Sequence, residues 1–239
     1  MAVIALMMTI SASAQFYIYC SDGSVIKVDS ISMVAPNTGA TGSENGYEYV
    51  DLGLSVKWAT CNVGASNPEE YGDYFAWGET EPKEVYEWST YKWCNGSYIT
   101  QTKYCTDSYY GTVDNKTQLE LSDDAARANW GGSWRMPTDA ELTELHEQCT
   151  WTGTTQNGVY GYKVTSKKSG YTNKSIFLPA AGYRNGSSLL SVGSLGYYWS
   201  SSLYTYHPHN ACELYFHSDY MCRRDDYRYY GFSVRPVCQ

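Results

Sequence analysis

Twelve side chains able to hydrogen-bond, ligate or stack crowd into one short stretch: Tyr204, Tyr206, His207, His209, Asn210, His217, Asp219, Tyr220, Asp225, Asp226, Tyr227 and Tyr229. They alternate with residues of scaffold character: Leu214, Tyr215, Phe216, Gly231, Phe232 and Val234. A tyrosine offers a broad apolar ring with a polar tip at low entropic cost. Asp and Arg add directional, charge-assisted contacts. That mixture suits noncovalent recognition, and it suits sugar stacking and protein contact equally. These twelve residues are therefore the candidate ligand-binding set, expected to present one C-terminal Tyr/His/Asp-rich face.

Catalytic and metal chemistry find less support. His207 and His209 flank Pro208 and could ligate a metal, but neither HExxH nor a four-ligand spacing accompanies them, so no metal is assigned. The pairs Glu69-Glu70 and Asp123-Asp124 are adjacent in sequence, whereas glycoside hydrolysis needs carboxyls opposed across a substrate. His146 and Cys149 stand one helical turn apart, but Cys149 fits an apolar stripe and lacks an activating neighbour. No phosphate-binding glycine loop or G-x-S-x-G elbow occurs. No catalytic residue is assigned. Trp58, Trp77, Trp134 and Trp199 are expected to be core pillars, and Arg135 and Arg235 buried scaffold residues.

The elements that must position the twelve can be read from composition and pattern. The chain has 239 residues with 16% aromatic and 18% charged content, 25 Tyr and 21 Gly. Little of it shows a 3.6-residue period, which implies a loop-rich, mainly β protein with aromatic packing. A formal net charge of -8 gives no basic surface for nucleic acid. Residues 1–14 combine an apolar run with Ala12-Ser13-Ala14, the pattern of a secretory signal remnant; a buried strand is the alternative. The run is too short to span a bilayer, so no transmembrane segment is expected. Residues 15–34 predict short strands about Asp22-Gly23, residues 35–46 a linker, and residues 47–239 the main domain. Two helices are expected, Ser122–Trp130 capped by Ser122, and Thr138–Cys149 opened by a Thr138/Glu141 capping box. A hairpin is expected between Tyr160 and Leu178, with strands at Tyr197–Ser201, Glu213–Phe216 and Phe232–Val237. Among the eight cysteines, Cys94/Cys105 and Cys212/Cys222 are near enough in sequence to pair in an exported chain.

The stretches VDLGLSVKWATCNVGA, GDYFAWGET, WGGSWRMPT, SIFLPAAGYR, GYYWSS and GFSVRPV resemble, in order, the Fibrobacter succinogenes major paralogous domain of secreted and surface proteins in Bacteroidetes-type gut bacteria. The resemblance runs from about Tyr47 to Val237. It implies an α+β, C-type lectin-like fold: two helices, twisted antiparallel strands and long irregular loops. The Tyr/His/Asp-rich segment also resembles the variable region of proteins diversified by retroelements. Adenine-directed mutagenesis of asparagine-type codons yields Tyr, His, Asp and Asn among its products. An ordinary Tyr-rich loop of an undiversified paralogue is the alternative.

The resemblance implies a secreted or cell-surface domain that binds a surface protein or glycan noncovalently. Two alternatives stand beside it: a structural or fimbrial accessory domain, and an enzyme, either a formylglycine-generating-like oxidoreductase, suggested by WGGSWRMPTDAE, or a carbohydrate-processing enzyme. The Glu-Pro-Asn, Gln-Pro-Asp and Trp-Asn-Asp motifs of calcium-dependent lectins are absent. No cofactor is expected, while a structural calcium held by loop carboxylates and carbonyls stays open.

Overall fold

The computed structural model describes strands β1 (Phe16–Tyr19) and β2 (Val25–Val28) and residues 40–239. β1 and β2 pair antiparallel, with Phe16 opposite Val28. The expected signal remnant and the turn at Asp22-Gly23 lie outside the described residues. The chain divides into two compact units between Asn37 and Thr38, and the second carries all twelve candidate residues.

The second unit opens with β3 (Gly42–Glu44), β4 (Tyr47–Val50) and β5 (Lys57–Ala59). Residues 42–44, expected as linker, form an edge strand on β4 with Glu44 opposite Tyr47. Asn45 and Gly46 both adopt positive φ, +46° and +85°, as a two-residue hairpin turn requires. Glycine-rich composition concealed that signal.

The first expected helix is shorter than its sequence suggested. Leu121–Asp123 forms a 3-10 turn, and α1 occupies Ala125–Trp130. Its cap is Asp124, whose side chain accepts from the Arg127 N–H at 2.9 Å; Ser122 is exposed outside the helix. α2 (Asp139–Gln148) keeps the expected capping box: Thr138 Oγ1 accepts from the Glu141 N–H, and the Glu141 carboxylate accepts from the Thr138 N–H. Leu142 and Leu145 of α2 pack into a core with Val50, Leu52, Trp58, Tyr198, Leu214 and Phe216. Cys149 leaves the helix and begins a strand.

β6 (Cys149–Gln156), β7 (Val159–Ser166) and β8 (Ser175–Pro179) form one antiparallel sheet. Its second hairpin contains the one expected between Tyr160 and Leu178. β9 (Tyr183–Asn185) and β10 (Ser188–Leu190) make a small ribbon. The sheet that bears the candidate residues comes next: β11 (Gly196–Leu203), β12 (Asn210–His217) and β13 (Tyr220–Tyr227), antiparallel in that order. β14 (Val237–Cys238) closes the chain against β5.

Phe232 and Val234 are fully buried. They do not sit in the continuous strand expected over Phe232–Val237. Phe232 and Ser233 instead make single bridges to Phe75 and Tyr198, and Pro236, which has no N–H, precedes β14. Trp58, Trp77, Trp134 and Trp199 are all buried pillars. The result is a mixed α+β domain with two helices and antiparallel sheets. Among the described residues, no helix is long and apolar enough to cross a membrane.

Candidate functional site

The β12–β13 register decides which candidates meet. Asn210 lies opposite Tyr227, and Cys212 opposite Asp225. Directly opposed residues share a sheet face and alternate residues take the other. Asn210, Asp225 and Tyr227 therefore share one face, and His217, Tyr220 and Asp226 the opposite one. The strand also separates the ends of the hairpin: seven residue steps from Asn210 to His217 span roughly 23 Å. The expected single face thus resolves into two groups. His217, Asp219 and Tyr220 gather at the β12–β13 turn, where the His217 and Tyr220 rings are 5.6 Å apart and Ser218 Oγ donates to the Asp219 carboxylate at 3.0 Å. His217 and Ser218 also line a shallow cleft of ≈ 450 Å³ with Tyr160 and residues 193–195.

The larger group lies at the other end of the sheet, where rings run in unbroken succession. Tyr206 meets Tyr204 at 5.7 Å, Tyr204 meets His207 at 5.9 Å, and His207 meets His209 at 5.7 Å. His209 then meets Tyr227 at 5.7 Å, and Tyr227 stacks on Tyr229 at 5.7 Å. Tyr206 is 79% exposed and Tyr227 40%, so the row reaches solvent at both residues, while Tyr229 at its far end is half-buried.

Sequence reading missed half of this surface. None of the twelve candidates lies in residues 62–116, yet these supply Trp88, Tyr98, Tyr109 and Tyr110. The Tyr110 ring lies 4.8 Å from His209 and Tyr98 lies 5.4 Å from it; Trp88 meets Tyr229 at 4.9 Å. The Tyr109-Tyr110 pair before Gly111 was the available signal. Gly111 (φ +150°) packs directly on the Gln101 backbone, where a Cβ would collide. Gln101 in turn donates its N–H to the Tyr110 carbonyl at 2.8 Å and accepts from Thr112 N–H at 2.8 Å. This clasp fixes the loop that presents both tyrosines.

Arg228 joins the two loops. It is fully buried between Tyr227 and Tyr229. Its guanidinium donates to the carbonyls of Pro208 (2.9 Å), Tyr104 (3.1 Å) and Lys103 (3.0 Å) and to the Tyr91 hydroxyl (2.8 Å). It also lies 4.9 Å from the Trp77 ring. Arg235 plays a similar part deeper in the core, donating to Asn62, Ala59, Thr60 and Phe177. Arg135, half-buried, pairs with Glu141.

Electrostatics distinguish the parts of the surface. Burial first, then the His207 and Arg228 charges, lowers His209 below the ordinary histidine range, so the imidazole is neutral at pH 7. Asp225 raises the Tyr204 phenol and accepts a 2.8 Å hydrogen bond from Asn210 Nδ2. On the opposite face, Glu213 is fully buried and neither carboxylate oxygen has a hydrogen-bond partner. Its nearest cation is Arg224 at 3.7 Å. Burial, reinforced by Asp226, pushes the Glu213 carboxyl well above its usual range.

The seven described cysteines are free. Cys212 and Cys222 cannot pair as the sequence suggested: Cys212 faces Asp225 and Cys222 faces Tyr215, which puts them on opposite faces of one hairpin. Burial pushes Cys149 up to about 11 and Cys212 up to about 12, so both stay protonated and pack as small apolar groups. Among the described residues, no three His, Cys, Asp or Glu converge in a metal-ligating group.

A family model described as a domain of unknown function (DUF8237) matches residues 138–237. The matched segment runs from the cap of α2 into β14 and takes in the β11–β13 sheet; the loops bearing Trp88, Tyr98, Tyr109 and Tyr110 fall outside it. No curated protein and no solved structure matches the chain.

Proposed function

We propose that this chain is a secreted or cell-surface recognition domain of C-type lectin-like fold, which binds a protein or glycan noncovalently through the Tyr-rich face at the Asn210/Tyr227 end of β12 and β13. The observation that supports this reading most is the unbroken row of rings from Tyr206 to Tyr229. Rigid aromatic rings give large contact area at small entropic cost. The scaffold beneath them is held by a buried arginine rather than by the rings themselves, so the exposed residues are free to differ without loss of fold. That separation also suits diversification by a retroelement, which would vary the rings and leave the scaffold intact.

Glycan arrays and surface-protein panels, probed with the folded chain and with its Tyr206→Ala/Tyr227→Ala variant, test the proposal. A ligand bound by the parent and lost by the variant supports it. Binding that survives the double substitution, or no binding to either panel, overturns it in favour of a structural accessory role.

A further inference from the structure

We infer that the partner of the Tyr-rich face is a Lys- or Arg-bearing segment of another protein, its ammonium or guanidinium groups seated on the rings about His209. This rests on the recognition role proposed above and names the chemistry of the ligand. The rings of Tyr98, Tyr110 and Tyr227 lie 5.4, 4.8 and 5.7 Å from His209. Tyr98 and Tyr227 are about two-fifths exposed, so their faces are open to a ligand. A cation is drawn to the face of an aromatic ring by its quadrupole, and several rings together make a cage.

The Arg228 guanidinium beneath the rings directs its donors to the carbonyls of Pro208, Tyr104 and Lys103 and to the Tyr91 hydroxyl, and acceptor atoms are left over around it. Gln101 Oε1, His209 Nδ1 and Asn210 Oδ1 are buried and without hydrogen-bond partners. Neutral His209 holds a lone pair at one ring nitrogen. The two amide oxygens present negative ends beneath the surface and favour positive charge above it. Ammonium and guanidinium groups carry donors only, whereas a sugar hydroxyl asks for donors in return.

Formal charge points the same way. Asp225 bonds Asn210 and, among the described residues, forms no ion pair with Lys or Arg. Glu87 lies within electrostatic reach of Tyr229, and Asp107 accepts from the Tyr109 N–H at 2.9 Å. The lysines of the neighbouring loop are engaged: Lys103 with Glu120 and Asp123, Lys116 with Glu120, and Lys92 with Asp123 at 3.8 Å. The face is thus aromatic with an acidic rim, on a chain of net charge -8. An anionic partner would be repelled, while a basic one is steered in.

The test uses the full chain and fluorescence anisotropy with a short Arg/Ser peptide, its Glu/Ser and all-Ser counterparts, and a neutral oligosaccharide. Binding of the Arg/Ser peptide alone is expected, weakening with added salt. Tyr98→Ala/Tyr227→Ala should lower that affinity roughly tenfold. Asp225→Asn should lower it further than Glu147→Gln, an exposed residue on α2 that changes net charge equally. Equal losses from Asp225→Asn and Glu147→Gln would reduce the effect to bulk charge and overturn the assignment, as would no binding of the basic peptide or no effect of the tyrosine variant. If a neutral or acidic probe binds instead and Tyr98→Ala/Tyr227→Ala abolishes it, the recognition role stands and the cationic partner falls. If no probe or panel member binds in a tyrosine-dependent way, both fall.

Discussion

Arg228 donates from Nη1 to the Pro208 carbonyl at 2.9 Å, and its own backbone N–H donates to the His209 carbonyl at 3.1 Å. One buried residue therefore sets the height of the 204–209 loop relative to the end of β13. Its remaining guanidinium bonds reach Lys103, Tyr104 and Tyr91, which brings the Tyr109-Tyr110 loop to the same level. The exposed rings inherit their spacing from this hidden cation.

Replacing Arg228 with Met should cost about 3–5 kcal/mol, because several buried carbonyls lose their donor at once. Arg228→Lys should recover only part of that, since an ammonium cannot reproduce the planar fork. Urea denaturation measures both. A loss below about 1 kcal/mol for Arg228→Met would show that the loops are held by other contacts.

The α1 cap gives a contrast between sequence and structure. Asp124 accepts from Arg127 N–H at 2.9 Å and from Met136 N–H at 2.8 Å, while Ser122 is exposed. Asp124→Ala should destabilise the fold by about 2–4 kcal/mol, the sum of a lost cap and a buried N–H left unpaired. Ser122→Ala should stay within about 0.5 kcal/mol. Thermal or urea unfolding of the two variants decides which residue starts the helix.

These cases show what was legible in the sequence. Thr138 and Glu141 form a local motif whose bonds lie within one turn, and the capping box is present as read. Phe232 and Val234 are apolar at alternate positions and are buried. Asp124 could not be told from Ser122, because its second bond goes to Met136, fixed only when the chain folds back. Arg228 was illegible for the same reason: its partners at 91, 103, 104 and 208 are brought to it by tertiary structure. The candidate residues were read as one face because sequence shows alternation but not register. β12–β13 pairing places Asn210, Asp225 and Tyr227 on one face and His217, Tyr220 and Asp226 on the other.

If the segment is diversified, this division predicts where change is allowed. A near-copy of the DNA encoding roughly 196–237 should lie near a reverse-transcriptase gene, with differences at template adenines. Codons for Tyr204, Tyr206, Tyr227 and Tyr229 should differ between copies, while those for Glu213 and Arg228, both fully buried, should agree. Sequencing of the locus checks this. Variation at Arg228 equal to that at Tyr227 would contradict the scaffold role.

Glu213 gives a pH prediction. Burial raises its carboxyl in the folded chain above the unfolded value of about 4.3, so the folded state holds this proton more tightly. The favourable contribution is complete below about pH 4.3 and is lost as pH rises from there through the folded pKa. Glu213→Gln removes that titration. Stability of the variant should therefore fall less than that of the parent between about pH 4 and 8. Raised Asp124 (about 6), Asp139 and Asp226 add slope of the same sign and lowered His209 adds slope of the opposite sign, but all four are common to parent and variant and cancel in the comparison. Identical slopes in parent and variant, measured by urea unfolding across that range, would mean that Arg224, 3.7 Å away, keeps the carboxylate ionised.

The two ends of the hairpin should also separate in function. Tyr227 and Tyr229 belong to the ring row, with Trp88 4.9 Å from Tyr229, whereas Tyr220 packs on His217 at 5.6 Å at the far turn. Truncating Tyr227 and Tyr229 to Ala should weaken binding at the Tyr-rich face by about 2 kcal/mol or more, the range of an aromatic anchor. Tyr220→Ala, 53% exposed in the parent, should leave that affinity within about twofold, since a residue outside the contact area removes no interface packing. Unfolding curves for each variant keep affinity apart from fold, and Tyr229, half-buried, is the one expected to cost stability as well. An equal loss of affinity from Tyr220→Ala would place the ligand along the full length of β13, and the split into two groups would then have no bearing on binding.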